Sequence, residues 1–318
     1  MQLPRSPAGG RNPVQSRVAW WLAWAAATAG LLLFARTLDL RAVLAPLRTA
    51  HPGWLAAAML ANFAMLPLLT EQWWRLLPAG RPVRRRVLGE CVALALAGMN
   101  TLPFGGGHAL GVGLLATRAG LGLDGALSLM ALEQLCEGLA KISLLLLALA
   151  VAPLPVALQR AAWLLGAILL AGSAALLWLT RRPTPGGRLA GWRARWTHHL
   201  EVVNRPGTLL AALALGALLK TVQLAAIYAV QRSLSVALPL PTLALVLTAV
   251  SFATMVAVAP GNLVVYEAAA FAIYRWLGVP PAEALALALV QHASFLVPMI
   301  LPGYALTAWR GLARPPAN

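Results

Sequence analysis

Residues 259–278 read Ala259-Pro260-Gly261-Asn262-Leu263-Val264-Val265-Tyr266-Glu267-Ala268-Ala269-Ala270-Phe271-Ala272-Ile273-Tyr274-Arg275-Trp276-Leu277-Gly278. A helix-breaking Pro-Gly pair and a carboxylate, Glu267, stand here inside a long apolar region. A related stretch lies about half a chain earlier, Leu102-Pro103-Phe104-Gly105-Gly106-Gly107-His108, and leads to a similar corner at Leu121-Gly122-Leu123. Two interrupted apolar segments at corresponding places in two halves point to a polar site near a bilayer midplane and to a transporter of the inverted-repeat kind.

Composition sets the solvent. Of 318 residues, 60% are hydrophobic and 11% charged, with a mean hydropathy of +0.75. A soluble domain could not cover that much apolar surface, so lipid surrounds most of the chain. At about 20 residues per crossing the chain supplies about eight to ten crossings and leaves no room for a sizeable soluble domain. The expected fold is therefore all-α, a polytopic integral membrane helical bundle forming a single domain over residues 1–318.

Net charge is +16, and the arginines flank apolar runs. The positive-inside rule and anionic headgroups account for that placement, so no nucleic acid is expected as a partner. Cys91 and Cys136 both fall within apolar segments and read as packing residues. No metal-ligand spacing, nucleophile elbow or phosphate loop occurs, so neither a metal, a cofactor nor a catalytic residue is expected. At the N-terminus, Arg5, Arg11 and Arg17 precede an apolar run over 18–35 that is too long and Trp-rich for a signal sequence, and it reads as a retained first helix.

Apolar runs place about eight spanning helices at 18–35, 53–70, 87–102, 123–150, 161–180, 208–230, 241–259 and 282–309. Two further segments, 104–120 and 261–277, are short or broken and read as half-helices or re-entrant hairpins. Arg75, Arg81, Arg84, Arg85 and Arg86 make one loop strongly basic. Arg181, Arg182, Arg188, Arg193, Arg195 and Arg205 do the same for another. Both loops should be cytoplasmic, which requires an even number of crossings between Arg86 and Arg181. Three apolar runs lie between them. Parity closes if 104–120 contributes a crossing, alone or with its neighbours, and 261–277 then returns Arg310 and Arg314 to the cytoplasm. The halves, about 18–150 and 160–310, would each hold five segments and so be inverted relative to each other. Both termini are expected to be cytoplasmic. Arg36, Arg41 and Arg48 fall in a loop this scheme places outside. Trp20, Trp21, Trp24, Trp73, Trp74, Trp276 and Trp309 lie near expected helix ends, as an aromatic belt would, and 189–201 suits a surface-lying helix.

Ionisable groups inside the apolar runs are the functional candidates. Glu133, Glu137 and Lys141 recur at four-residue spacing and share one helix face. Lys220 sits mid-helix, Glu267 follows the second break, and Glu90 begins the third run. A central acidic or lysine residue costs about 2.5–3.5 kcal/mol on insertion, so such groups should face one another or a wet cavity that takes a polar substrate. Bland alternatives exist for each. Glu137 and Lys141 could satisfy each other, Glu90 could pair with Arg84 to Arg86, and Glu267 could cap freed backbone N–H groups. Lys220 could counter a glutamate or contact a lipid phosphate. His108 follows three glycines whose N–H groups are open to an anion, or is structural. Asn100, Asn262, Gln134, Gln291 and His292 could complete a polar lining, whereas His198 and His199 are loop residues.

On these residues the chain resembles the flippase-like membrane domain family that includes the transmembrane region of lysylphosphatidylglycerol synthases. The resemblance runs from about Gln72 to Gly303. It rests on Gln72-Trp73-Trp74-Arg75, Asn100-Thr101-Leu102-Pro103, Glu133 with Glu137, and Pro260-Gly261-Asn262-Leu263-Val264-Val265-Tyr266-Glu267 followed by Leu277-Gly278-Val279. It implies a helical membrane protein that handles lipids, aminoacylated phospholipids and isoprenoid-type lipids among them. His108 stands where the family has an acidic residue, Gly105 and Gly111 where it has arginines, and Gln134 where an arginine follows Glu133. The soluble aminoacyl-transferase domain has no counterpart here, so aminoacylation by this chain is not expected.

The expected function is translocation of a polar-headed lipid between leaflets of the plasma membrane (the inner membrane in a Gram-negative cell). Glu267, Glu133, Glu137, Lys141, Lys220, His108, Asn100, Asn262 and Gln291 are the candidate substrate-binding residues. Its partners would be membrane lipids, anionic or aminoacylated phospholipids or isoprenoid-type lipids. The alternative is a non-transporting accessory subunit that presents lipid to a separate lipid-modifying enzyme. A third reading, a membrane transferase with Glu267 as general base, lacks any donor-binding motif.

Overall fold

A computed structural model describes residues 40–78, 83–151, 156–181, 205–255 and 259–312, with five more between 21 and 29. The described residues are helical and contain no strand: α1 (Leu40–Arg48), α2 (Pro52–Arg75), α3 (Arg85–Met99), α4 (Gly106–Thr117), α5 (Gly122–Val151), α6 (Val156–Arg181), α7 (Pro206–Ser233), α8 (Thr242–Ala253), α9 (Val265–Trp276) and α10 (Pro281–Leu312). By length and apolarity, α2, α7 and α10 qualify as membrane-crossing helices. The protein is an all-α membrane bundle. Helices α5, 30 residues, and α6, 26 residues, also have the length. The run at 18–35 and the surface helix expected at 189–201 lie, apart from the five residues, outside the described residues.

The runs expected to span at 87–102 and 241–259 are shorter than a crossing. Helix α3 has 15 residues and α8 has 12, lengths of about 22 and 18 Å against a hydrocarbon core of about 30 Å. Each stops before a break that the sequence encodes. After α3 come Phe104 and Gly105 at φ 54° and 72°. After α8 come Gly261 and Asn262 at φ 60° and 53°, within a single 3-10 turn at Pro260–Asn262, and Val264 just beyond it at φ 74°. Left-handed backbone suits glycine and asparagine, whereas a β-branched valine there is strained and must be held by its surroundings.

Beyond each break the chain turns back. Cys91 Sγ reaches the Leu114 carbonyl at 3.7 Å, and a Cβ added to Gly111 would meet Ala95 at 3.3 Å, so α3 and α4 run antiparallel. At Gly107 the two backbones approach so closely that an added Cβ would fall 2.2 Å from Met99 Cα. The glycine-rich segment at 104–120 thus holds a 12-residue helix whose small residues permit close contact with α3. Helix α9 is the counterpart in the second half. It begins near Leu296 and Asn100, both beside Gly261, and ends where Tyr274 meets Gln231.

The order long, short, short, long occurs twice, as α2-α3-α4-α5 and α7-α8-α9-α10. Packing follows the same pairing. Helix α3 packs on α10 and α8 on α5, α2 touches α10 and α7 touches α5, and α2 packs along α7. Helices α2 and α7 are antiparallel, tied by Gln72 Nε2 to the Ala212 carbonyl at one end (2.9 Å) and by the His51 N–H to the Ser233 carbonyl at the other (2.7 Å). Arg75, Arg85 and Arg205 therefore gather at one face. Arg310 joins them by pairing with Glu90, which also meets Arg86 at 3.5 Å.

Two expectations shift. The segment holding Arg41 and Arg48, expected to be a loop, is largely the short helix α1, which packs against α10. Trp73 is not a lipid-facing belt residue but one of the most deeply buried side chains. Trp74 instead lies under the guanidinium of Arg85, 4.1 Å from its ring centre.

Candidate functional site

A cavity of about 320 Å³ opens where the two breaks meet. Its wall takes Asn62 from α2, Asn100 from the first break, His108 from α4, Glu133, Gln134, Glu137 and Lys141 from α5, and Lys220 and Gln223 from α7. Ser251 of α8, Thr254 just after it, Asn262 of the second break, Tyr266 of α9, and Gln291, His292 and Ser294 of α10 complete its polar lining, while Met65, Met99, Leu247 and Phe295 are among the apolar residues. The breaks touch directly, since a Cβ on Gly261 would sit 3.1 Å from the Asn100 carbonyl.

The sequence places Glu133, Glu137 and Lys141 on one face of α5, and that face is the cavity wall. Lys220 Nζ donates to Glu137 Oε1 at 2.6 Å and to Gln223 Oε1 at 3.2 Å, and Lys141 lies 3.4 Å from the same carboxylate oxygen. Both lysines of the chain thus meet one carboxylate. Glu133 differs: it accepts from Gln134 Nε2 at 2.8 Å and has no ion-pair partner among the described residues. His108 is exposed on the cavity rim, and Asn100 is buried with its side-chain nitrogen on the Leu96 carbonyl.

Glu267 is placed behind the wall. Its Oε2 accepts the Val264 N–H at 2.7 Å, which caps α9 and holds the strained valine. Its Oε1 meets His292 Nδ1 at 2.7 Å. The tautomer sets which of the two groups donates in this contact. His292 Nε2 is buried with no hydrogen-bond partner among the described residues, an arrangement that costs about 1–3 kcal/mol. The ring stacks on Tyr266, 4.1 Å between centres and 8° from parallel. Gln291 accepts from the Tyr274 hydroxyl at 2.7 Å and donates to the Tyr266 hydroxyl at 2.9 Å.

The candidates Glu133, Glu137, Lys141, Lys220, His108, Asn100, Asn262 and Gln291 thus share one cavity, with Glu267 bonded to its wall through His292. Sequence reasoning missed Asn62, Gln223 and Tyr266. Asn62 was visible as a polar residue inside an apolar run, and Gln223 as the i+3 neighbour of Lys220. Tyr266 gave no signal of its own.

The sequence that builds this bundle matches the family model of the lysylphosphatidylglycerol synthase TM region over residues 20–303. The chain belongs to that family. No curated protein matches the chain. Membership in the lysylphosphatidylglycerol synthase TM-region family makes it a membrane domain related to lipid synthesis or flipping. No group of three or more potential metal ligands occurs among the described residues.

Proposed function

We propose that this member of the family translocates a polar-headed lipid between leaflets. The observation that carries this reading is the cavity at the junction of the two breaks, which gathers carboxylates, ammonium groups and amides inside an apolar bundle. Groups of this kind inside a membrane protein face a substrate path. On this reading α3–α4 and α8–α9 are re-entrant hairpins entering from opposite faces, and the two halves are an inverted repeat. The arginine-rich face is cytoplasmic and the membrane is the plasma membrane. The headgroup passes along Glu133, Glu137, Lys141, Lys220, Asn100, Asn262 and Gln291 while the tails remain in lipid. Glu133, lacking an ion-pair partner, suits the amine of an aminoacylated or zwitterionic headgroup.

The test is headgroup accessibility of labelled lipids in proteoliposomes. The native protein is expected to abolish inner-leaflet protection. Glu133→Gln, which breaks no ion pair, should slow that loss by about tenfold or more, the worth of one charge-assisted contact. If the correctly inserted native protein leaves protection intact across several lipid classes, translocation is wrong, and presentation of lipid to a separate enzyme replaces it.

A further inference from the structure

The carboxylates and ammonium groups of the cavity come from α5 and α7. Its other polar groups are largely amides and hydroxyls, and those of Asn62, Ser251, Asn262 and Tyr266 hold hydrogen-bonding capacity that the protein leaves unused. Pro298 has no N–H for the Ser294 carbonyl one turn before it in α10, and Asn62 Nδ2 takes that place at 2.9 Å. A carbonyl only accepts, so the nitrogen end of the Asn62 amide faces α10 and its oxygen is left over. Gln291 Nε2 donates to the Tyr266 hydroxyl, whose own hydrogen then has no acceptor among the described residues. The Ser251 hydroxyl and both ends of the Asn262 amide have no partner there either. Among the described residues, the buried polar side-chain atoms sealed off without a partner are Trp73 Nε1 and His292 Nε2. The unused atoms of Asn62, Ser251 and Asn262 are therefore not sealed, and the cavity is the space they line. Asn62, 3% exposed, has no other opening.

We propose that these four side chains form a subsite for headgroup hydroxyls, so that the lipid bound here carries a polyol or sugar group. The proposal rests on the reading of the cavity as a headgroup site and names the chemistry of that headgroup. Asn62 Oδ1 can only accept, the Tyr266 hydrogen can only be donated, and Ser251 and Asn262 do both. A hydroxyl donates and accepts at one atom, so it can satisfy each of them. An ammonium offers no acceptor to Tyr266, and a phosphodiester oxygen offers no hydrogen to Asn62. A headgroup without hydroxyls strips water from these groups and leaves them unpaired, and that loss is the source of selectivity.

The four groups are held in place before any ligand arrives. The Tyr266 ring stacks on His292, 4.1 Å between centres, and on Phe295, 6.4 Å away and 16° from parallel. His292 is in turn fixed by Glu267 at 2.7 Å. Asn62 and Tyr266 are thus anchored on the same stretch of α10, residues 291–295. Asn262 is set by the left-handed backbone of the second break, with its N–H on the Ala259 carbonyl at 3.1 Å. A subsite whose donors and acceptors are already ordered binds without the cost of ordering them. Glu267 acts here as a positioning residue, through His292 and Tyr266, and not as a contact of the headgroup.

The experiment is displacement of a fluorescent phospholipid from the purified full-length chain in detergent micelles, by two matched pairs of lipids. Phosphatidylglycerol is compared with phosphatidylpropanol, and phosphatidylinositol with phosphatidylcyclohexanol. Members of a pair share charge and carbon skeleton and differ only in headgroup hydroxyls. The native chain should bind the hydroxylated member of at least one pair about tenfold or more tightly. Preference in the ring pair alone identifies a sugar-like headgroup, and preference in the open-chain pair alone a glycerol one. Tyr266→Phe, and Asn262→Gly, which keeps the left-handed backbone, should each cut that preference about fivefold to tenfold and leave binding of the hydroxyl-free member unchanged. Ser251→Ala should act in the same direction while breaking no hydrogen bond within the protein. Equal affinity within both pairs, or variants that weaken both members alike, overturns the hydroxyl subsite and leaves the headgroup site standing. Failure of the native chain to bind any of the four lipids overturns both.

Discussion

Lys220 shows how a costly residue is held in this protein. Its side chain is 8% exposed, and its ammonium is satisfied by Glu137 and Gln223. Removing one partner strands the other, which costs about 3–5 kcal/mol, whereas replacing both by neutral groups is close to neutral. Glu137→Gln, which strands both lysines, should therefore lower unfolding stability in detergent by about that amount, and adding Lys141→Met and Lys220→Met should recover most of it. A triple variant that stays as unstable as Glu137→Gln would show that the three side chains contribute through packing rather than charge. Glu267 is a parallel case, since one carboxylate caps a helix, holds a left-handed valine and orients an imidazole.

At the scale of elements, the α3–α4 hairpin depends on which glycine faces the neighbouring helix. A methyl on Gly107 would strike Met99 backbone at 2.2 Å, while one on Gly113 meets nothing within 4 Å. Gly107→Ala must push the two helices apart and should cost about 3 kcal/mol or more, at the upper end for overpacking. Gly113→Ala should instead stabilise by about 0.5–1 kcal/mol, the helix-propensity gain. Thermal unfolding of the two variants side by side decides the matter, and equal effects would refute the backbone contact. Two breaks were legible from Pro103 and Pro260-Gly261. Whether the chain crosses or re-enters after each stayed open, because a helix after a break has the same local pattern in both cases.

For the whole molecule, the decisive question is which residues share a face. If α3–α4 is a hairpin, cysteines placed at Arg85 and Arg118 label from the same side of the membrane, and cysteines at Ser235 and Leu240 label from the other. If the pair spanned, Arg85 and Arg118 would label from opposite sides. Impermeant maleimide applied to right-side-out and inverted vesicles reads this directly. The buried native thiols Cys91 and Cys136 should stay unlabelled in the folded protein. The arginine count already required an even number of crossings between Arg86 and Arg181. A returning hairpin followed by α5 and α6 meets that requirement, with fewer crossings than the apolar runs suggested.

Helical membrane character was determined by the sequence alone, because apolarity over about 20 residues is a one-dimensional property. The grouping of Glu133, Glu137 and Lys141 was too, because helical period places i and i+4 on one face. The tertiary structure decided the rest. It brought Lys220 to Glu137 across 83 residues and His292 to Glu267 across 25. It also set Glu267 behind the cavity rather than in it. Those pairings depend on which helices pack together and at what depth, and depth is set in part by the close approach of Gly261 to the Asn100 carbonyl, a contact between distant segments that no local pattern of residues encodes.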